Sequence, residues 1–247
     1  MSIGITLRAD GYPRGGEIGN RLEEQVRALR YIPAEFDALL RAYPGYPQPL
    51  FERAQLQLEE QQWDALLATG EELIRRFDNH GRGYFYACQA LRHLGRPDAA
   101  EVLAVTAIRR LPAYVGAYEA YAASAQDRQD WTAAERRWAD AARRFPKAMW
   151  PRLMRANAMA NTGDSAQADR LMREVATDNP REWLALYYYA DIAERRDDWA
   201  AAAGRWEVLL REFPGRPEAH ERLIKALLRA GQVSVAAERF RGCPARC

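Results

Sequence analysis

A proline recurs every 34 residues through the second half of the chain, at Pro112, Pro146, Pro180 and Pro214. One interval earlier the series is broken by Asp78, and one further back it is restored by Pro44. Two more ladders share the period. One runs Leu66, Ala100, Ala134, Ala168, Ala202, Ala236; the other runs Ala54, Cys88, Ala122, Ala156, Ala190, Ile224. A period of this length is the mark of a small supersecondary unit that cannot bury its apolar face alone and must stack on its neighbours.

Each unit reads as two helices. Between Asp130 and Pro146, the residues Trp131, Ala134, Trp138 and Ala141 fall three and four apart, on one face of a helix. Asp130, Asp164 and Asp198 stand where a carboxylate would cap the free N–H groups at the start of the second helix. Arginine pairs at Arg75–Arg76, Arg109–Arg110 and Arg143–Arg144 would close that helix at its negative dipole end. The proline then stops it, because its ring cannot continue the hydrogen-bond ladder. The small residues of the second ladder lie on the first helix, where a missing side chain lets the two helices approach closely.

The unit resembles the tetratricopeptide repeat, whose second helix carries an Ala-x3-Phe pair and a later Pro. Ala134–Trp138–Pro146 and Ala202–Trp206–Pro214 match in full, and Ala168–Met172–Pro180 and Ala236–Phe240 match in part. The first-helix signature departs from the family: its Trp, Leu, Gly and Tyr are here Tyr118, Tyr121, Ala122 and Ala125, or Leu186, Tyr189, Ala190 and Ala193. The resemblance covers residues 47–241 and implies an all-α fold, a right-handed α-solenoid of about six antiparallel helix pairs. The Asp-Trp-x-x-Ala and Arg-Phe-Pro phrases are also similar to bacterial repeat segments that accompany glycosyl-, sulfo- or methyltransferase domains.

A longer rhythm overlies the first. Trp63, Trp131 and Trp199 are 68 residues apart, as are Phe77, Phe145 and Phe213, which fits duplication of a two-repeat block. At the ends, residues 1–16 read as a flexible leader and residues 17–46 as a degenerate hairpin, with helices expected over 17–30 and 34–43. The solenoid would then occupy 47–241, and 242–247 would form a tail. No polar capping helix follows the last repeat, so its exposed face is expected to be covered by a second copy or another protein.

The 36 basic and 34 acidic residues leave a formal charge of +2, which gives no pull towards nucleic acid or an anionic membrane. No window approaches the ~18 apolar residues of a membrane span, and the start shows no signal-peptide pattern. A cytoplasmic location is therefore expected. Cys243 and Cys247 form a lone C-x3-C, Cys88 sits at a close-packing position, and His80, His93 and His220 lie in different repeats. No metal site is expected from them. Ile3-Gly4-Ile5-Thr6-Leu7 with Gly11, Gly15 and Gly16 suggests the start of a phosphate-binding unit, but its glycine spacing fits neither standard fingerprint. No catalytic set and no cofactor are expected.

In the family, positions 2, 5, 9, 12 and 13 of each first helix line the concave groove. Carried over, these include Phe51 and Gln55; Phe85, Gln89 and Arg92; and Glu119. Further along they give Trp150, Leu153, Asn157 and Asn161; Tyr187, Asp191 and Arg195; and Lys225. Leu58, Arg82, Glu221 and Arg229 fall in the same set. Aromatic anchors beside amides suit an extended peptide. The lysine–asparagine clamp by which some members hold a C-terminal carboxylate is not matched. The resemblance implies a non-enzymatic scaffold or adaptor that holds a protein or peptide partner in its groove. The competing expectations are an accessory module of a transferase or polysaccharide system, and sugar binding through Trp150 and Tyr187.

Overall fold

The structure is a computed structural model that describes residues 40–241, together with the backbone of 6–7 and 13–14. Apart from those four residues, the leader and its glycine-rich fragment lie outside the described residues, as do most of the 17–46 hairpin and the tail with Cys243 and Cys247. Two short strands are described near the start: β1 (Thr6–Leu7) pairs antiparallel with β2 (Pro13–Arg14), with Thr6 opposite Arg14. From Gln48 onward the described chain is a succession of helices. The fold is all-α, of the α-solenoid class built from antiparallel helix pairs, and it divides into two compact units, one running to Arg128 and the other from Gln129.

The first unit holds α1 (Gln48–Glu59), α2 (Trp63–Arg76), α3 (Gly81–His93), α4 (Pro97–Arg110) and α5 (Val115–Asp127). The second holds α6 (Trp131–Arg144), α7 (Met149–Asn161), α8 (Ser165–Asp178), α9 (Trp183–Arg195), α10 (Trp199–Glu212), α11 (Pro217–Arg229) and α12 (Val233–Arg241). Within each unit every helix packs on the next in sequence, and α5 also rests on α3 and α9 on α7, so the first helices lie side by side.

The helix starts and stops have the causes read from the sequence. Asp130, Asp164 and Asp198 each accept a hydrogen bond from a backbone N–H three residues on, at 3.0, 3.2 and 3.1 Å. The residues before the periodic prolines, Leu111, Phe145, Asn179 and Phe213, leave the helical region with φ between −123° and −132° and ψ between 59° and 68°. A following proline ring disfavours the α conformation at just this position. Phe77, before Asp78, adopts the same geometry (φ −138°, ψ 63°), so the turn forms there without the proline. The arginine pairs fall in the last turns of α2, α4 and α6, and members of them are engaged within their helix and with neighbouring segments. Arg76 pairs with Glu72 at 2.9 Å, and Arg110 donates to the Tyr84 hydroxyl at 3.4 Å.

One periodic device escaped the reading of the sequence. Within each repeat the turn from first to second helix contains a residue of positive φ, at Gln61, Gly95, Gln129, Gly163, Asp197 and Gly231, spaced by 34. In five of these six turns the next residue's N–H reaches back to a carbonyl five positions earlier, as from Arg96 to Leu91 and from Asp198 to Ala193. That bond satisfies an otherwise orphaned carbonyl at the end of the first helix. Glycine alternates with a side-chain-bearing residue, so the turn itself carries the two-repeat rhythm, and Trp63, Trp131 and Trp199 each follow a non-glycine turn by two residues.

The core is made by the ladders. Leu66, Ala100, Ala134, Ala168 and Ala202 are fully buried, as are Ala54, Ala122, Ala156 and Ala190, with Cys88 nearly so. In the second unit Trp138, Met172 and Trp206 are buried one turn after their alanines, whereas Phe240 in α12 is 62% exposed. The first unit has Gly70 in place of the large residue. A Cβ on Gly70 would stand 2.7 Å from the Ala87 backbone nitrogen, so α3 lies directly against α2 there.

Two substitutions of opposite sign test the turn. Left-handed backbone costs an L-residue about 1–2 kcal/mol, so Gly163→Ala should destabilise by about 1 kcal/mol, while Gln61→Gly should stabilise by up to a similar amount. Chemical denaturation of the two variants measures both shifts, and shifts of the same sign would contradict the account.

Candidate binding surface on the first helices

In the first unit α1, α3 and α5 enclose a cleft of about 410 Å³. Phe51, Glu52 and Gln55 come from α1, and Arg82, Phe85 and Tyr86 from α3. Tyr114, Val115, Gly116 and Glu119 close it at the start of α5. The helical spacing of three and four in each set is what turns these side chains to one side.

Two glycines build the floor. A Cβ on Gly81 would stand 2.5 Å from ring carbons of Tyr114, and one on Gly116 would stand 2.7 Å from the far end of the same ring. The Tyr114 ring thus lies against two backbones, and any side chain at either glycine would collide with it. Burial raises the Tyr114 phenol above its ordinary value, reinforced by the Glu119 charge and opposed by Arg82. Burial likewise raises the Tyr86 phenol, whose hydroxyl donates to Gln55 Oε1 at 3.4 Å. Phe85 meets Tyr86 edge-on at 5.4 Å and remains half-buried. Phe51 is 3% exposed, with the Arg82 guanidinium 5.1 Å from its ring centre, so it is mainly a packing residue whose outer face is already covered.

Glu119 differs from the rest. It is half-buried, has no hydrogen-bond or ion-pair partner among the described residues, and burial holds its pKa above the ordinary glutamate value. Gln89 and Arg92, on the same helix face as Phe85, are engaged with each other at 2.8 Å, and Arg92 grips Asp127 with two nitrogens at 2.5 and 2.9 Å.

The second unit treats the corresponding positions otherwise. Asn157 is 7% exposed and its Oδ1 accepts from Arg195 at 2.9 Å; Arg195 also pairs with Asp191 at 2.8 Å. Arg222 reaches Asp191 at 3.5 Å, Glu194 at 3.0 Å and the Tyr187 hydroxyl at 3.2 Å. Lys225 pairs with Glu194 at 2.9 Å, and the Trp206 indole N–H donates to the same carboxylate at 2.8 Å. Asn161 donates back to the Asn157 carbonyl at 2.8 Å. Leu153 is fully buried and packs inside the unit, and Trp150 is half-buried, edge-on to Tyr188 at 6.4 Å. The polar side chains that the sequence sets facing a partner here face one another.

Among the described residues, no group of three or more His, Cys, Asp or Glu side chains could hold a metal ion, and no helix is long and apolar enough to cross a membrane. His93 instead stacks on Trp63 at 3.9 Å, and burial lifts the Cys88 thiol to about 12.

No protein-family model and no curated protein matches the sequence. Solved structures match the fold. A thermophilic TPR protein of Thermus thermophilus aligns over 74% of this chain and all of its own, at 16% identity and a TM-score of 0.64. Yeast Tom70 aligns over 83% of this chain and 45% of its own, at 16% identity and a TM-score of 0.66. YrrB, a TPR protein with an unusual peptide-binding site, aligns over 70% of this chain and 89% of its own, at 12% identity and a TM-score of 0.50. The chain has the tetratricopeptide-repeat fold.

Within that fold, sequence position alone missed Tyr114, Gly81, Gly116, Glu194, Arg222 and Trp206. Tyr114 precedes its helix and lies outside the repeat's groove positions. Gly81 and Gly116 offered a signal, since a helix that starts with glycines against a neighbouring aromatic marks close backbone approach.

The isolated Glu119 carboxyl yields a signed prediction. A carboxyl whose folded pKa is raised disfavours folding when ionised, and the penalty is full above the raised value and absent below the ordinary one. Glu119→Gln should therefore melt higher than the parent at neutral pH, with the gap closing as the pH falls through that window. Thermal melts across pH check this, and a pH-independent gap would contradict it.

Proposed function

We propose that the protein is a non-enzymatic interaction scaffold and that the cleft of the first unit is where it holds an extended segment of a protein partner. The observation that carries the reading is the contrast between the two units. In the first, half-buried aromatic surface adjoins a half-buried carboxylate without a partner, while in the second the carboxylates Asp191 and Glu194 are paired with cations. Concave surfaces lined by few aromatics and convergent polar groups are how solenoids hold segments, and the peptide-binding site of YrrB shows that a protein of this fold can do so. Selection of random peptides on the intact chain tests it. Recovered peptides should lose about tenfold or more in affinity on Phe85→Ala, the cost of one interface anchor, with the helical signal unchanged. Equal affinity for the variant would remove the cleft.

A second surface supports self-association. On α11 and α12 the side chains Leu228, Val233 and Phe240 are 50%, 61% and 62% exposed, and a depression of about 480 Å³ lies between Leu228 and Phe240. Apolar side chains gathered in this way mark interaction sites. Light scattering at high concentration should show a dimer that Phe240→Glu dissociates; a monomer throughout would refute it.

A further inference from the structure

Position 5 of the first helices forms a ladder of its own: Phe51, Phe85, Glu119, Leu153, Tyr187, Glu221. Glu119 places a carboxylate where its two predecessors place aromatic rings. It stands half-buried beside Tyr114, at the opposite side of the cleft from Phe51.

Its lack of a cation sets it apart from comparable groups. Of the other first-helix carboxylates that are at least half-buried, Asp191 has Arg195 and Arg222, and Glu194 has Arg222 and Lys225, while Glu221 on the position-5 ladder is exposed to solvent. Glu119 has no such partner among the described residues, and burial raises its pKa with no neighbouring cation to offset it. Arg82 lies over Phe51 on the other wall, where an aromatic face already receives a guanidinium. Glu52, exposed on α1, adds a second carboxylate, so the charged groups of the cleft sum to net negative. Aromatic faces next to a partly desolvated carboxylate are complementary to an ammonium or guanidinium group: the ring faces attract the cation, and the carboxylate accepts its charged hydrogen bonds.

Resting on the scaffold reading above, we infer that the first unit's cleft selects a lysine or arginine side chain of the bound segment, seated between Phe85 and Tyr114 with its charge on Glu119. The cation supplies what Asp191 and Glu194 obtain from within the chain. Specificity follows as well, because an acidic residue at the same place would meet Glu119 and Glu52 without relief.

The test uses the full chain and fluorescein-labelled peptides recovered by the selection described above, read by anisotropy. Each peptide is remade with its basic residue replaced in turn by norleucine, glutamine and glutamate. On the parent chain the Lys or Arg form should bind about tenfold or more tighter than the norleucine form, as expected of a charge-assisted contact, and the glutamate form weakest. Glu119→Gln should bring the Lys-to-norleucine ratio close to one, and Glu119→Lys should reverse the order of the lysine and glutamate forms. Equal binding of lysine and norleucine forms to the parent, or a preference that survives in Glu119→Gln, would overturn the inference. If Phe85→Ala weakens all forms alike and no form is preferred, the cleft remains a segment site without cation selection. If no peptide binds, or Phe85→Ala changes nothing, both readings fall.

Discussion

In the middle repeats the two helices meet across side chains no larger than alanine or cysteine, and almost everything else in the molecule rests on that contact. Ala54, Cys88, Ala156 and Ala190 on first helices, and Ala100, Ala168 and Ala202 on second helices, are essentially without exposure. Small residues at these points let backbones approach closely enough for the large side chains one turn away to interlock, as Trp138, Met172 and Trp206 do. Close packing of this sort tolerates little change in volume, which is why the same residue types return at the same phase. The left-handed turns at Gln61, Gly95, Gly163, Asp197 and Gly231 serve the same end, since they reverse the chain within three residues and fix the register at which the small side chains meet.

On this common frame the two units deploy their polar residues in different ways. In the second unit, Asp191, Glu194, Arg195, Arg222 and Lys225 form a connected set with Asn157, Tyr187 and Trp206. Buried or half-buried charges need partners, and here they find them on adjacent first helices. The set therefore ties neighbouring repeats together and leaves few polar atoms for a ligand. In the first unit Arg92, Gln89 and Asp127 do the same at one end of the helices. At the other end, Tyr114 lies against Gly81 and Gly116, and Glu119 stands beside it without a cation. The two units thus differ in whether a half-buried first-helix carboxylate finds a cation within the chain.

How far the sequence could be read follows from what sets each feature. Caps at Asp130, Asp164 and Asp198, stops before the prolines, and the burial of both ladders depend on contacts within one or two turns, and all were legible. The positive-φ turns were equally local, and the 68-residue spacing of Gly95, Gly163 and Gly231 would have exposed them. The candidate site was legible only as a set of positions. Leu153 occupies a groove position and is fully buried, and nothing in the local spacing distinguishes it from Phe85, which is half open.

The sequence by itself determined the period, the helices and the small-residue seams, because each depends on residue type at fixed short spacing and on backbone preferences that act locally. Tertiary structure alone decided which groove-position side chains are engaged. Whether Asn157 faces a ligand or Arg195, and whether a carboxylate finds a cation, depends on residues 30 or so positions away brought alongside by stacking. Glu119 and Glu194 are chemically alike and both lie on first helices. The neighbouring helix brings Arg222 and Lys225 to Glu194, whereas among the described residues no helix brings a cation to Glu119, beside which stands the Tyr114 ring from the start of its own helix.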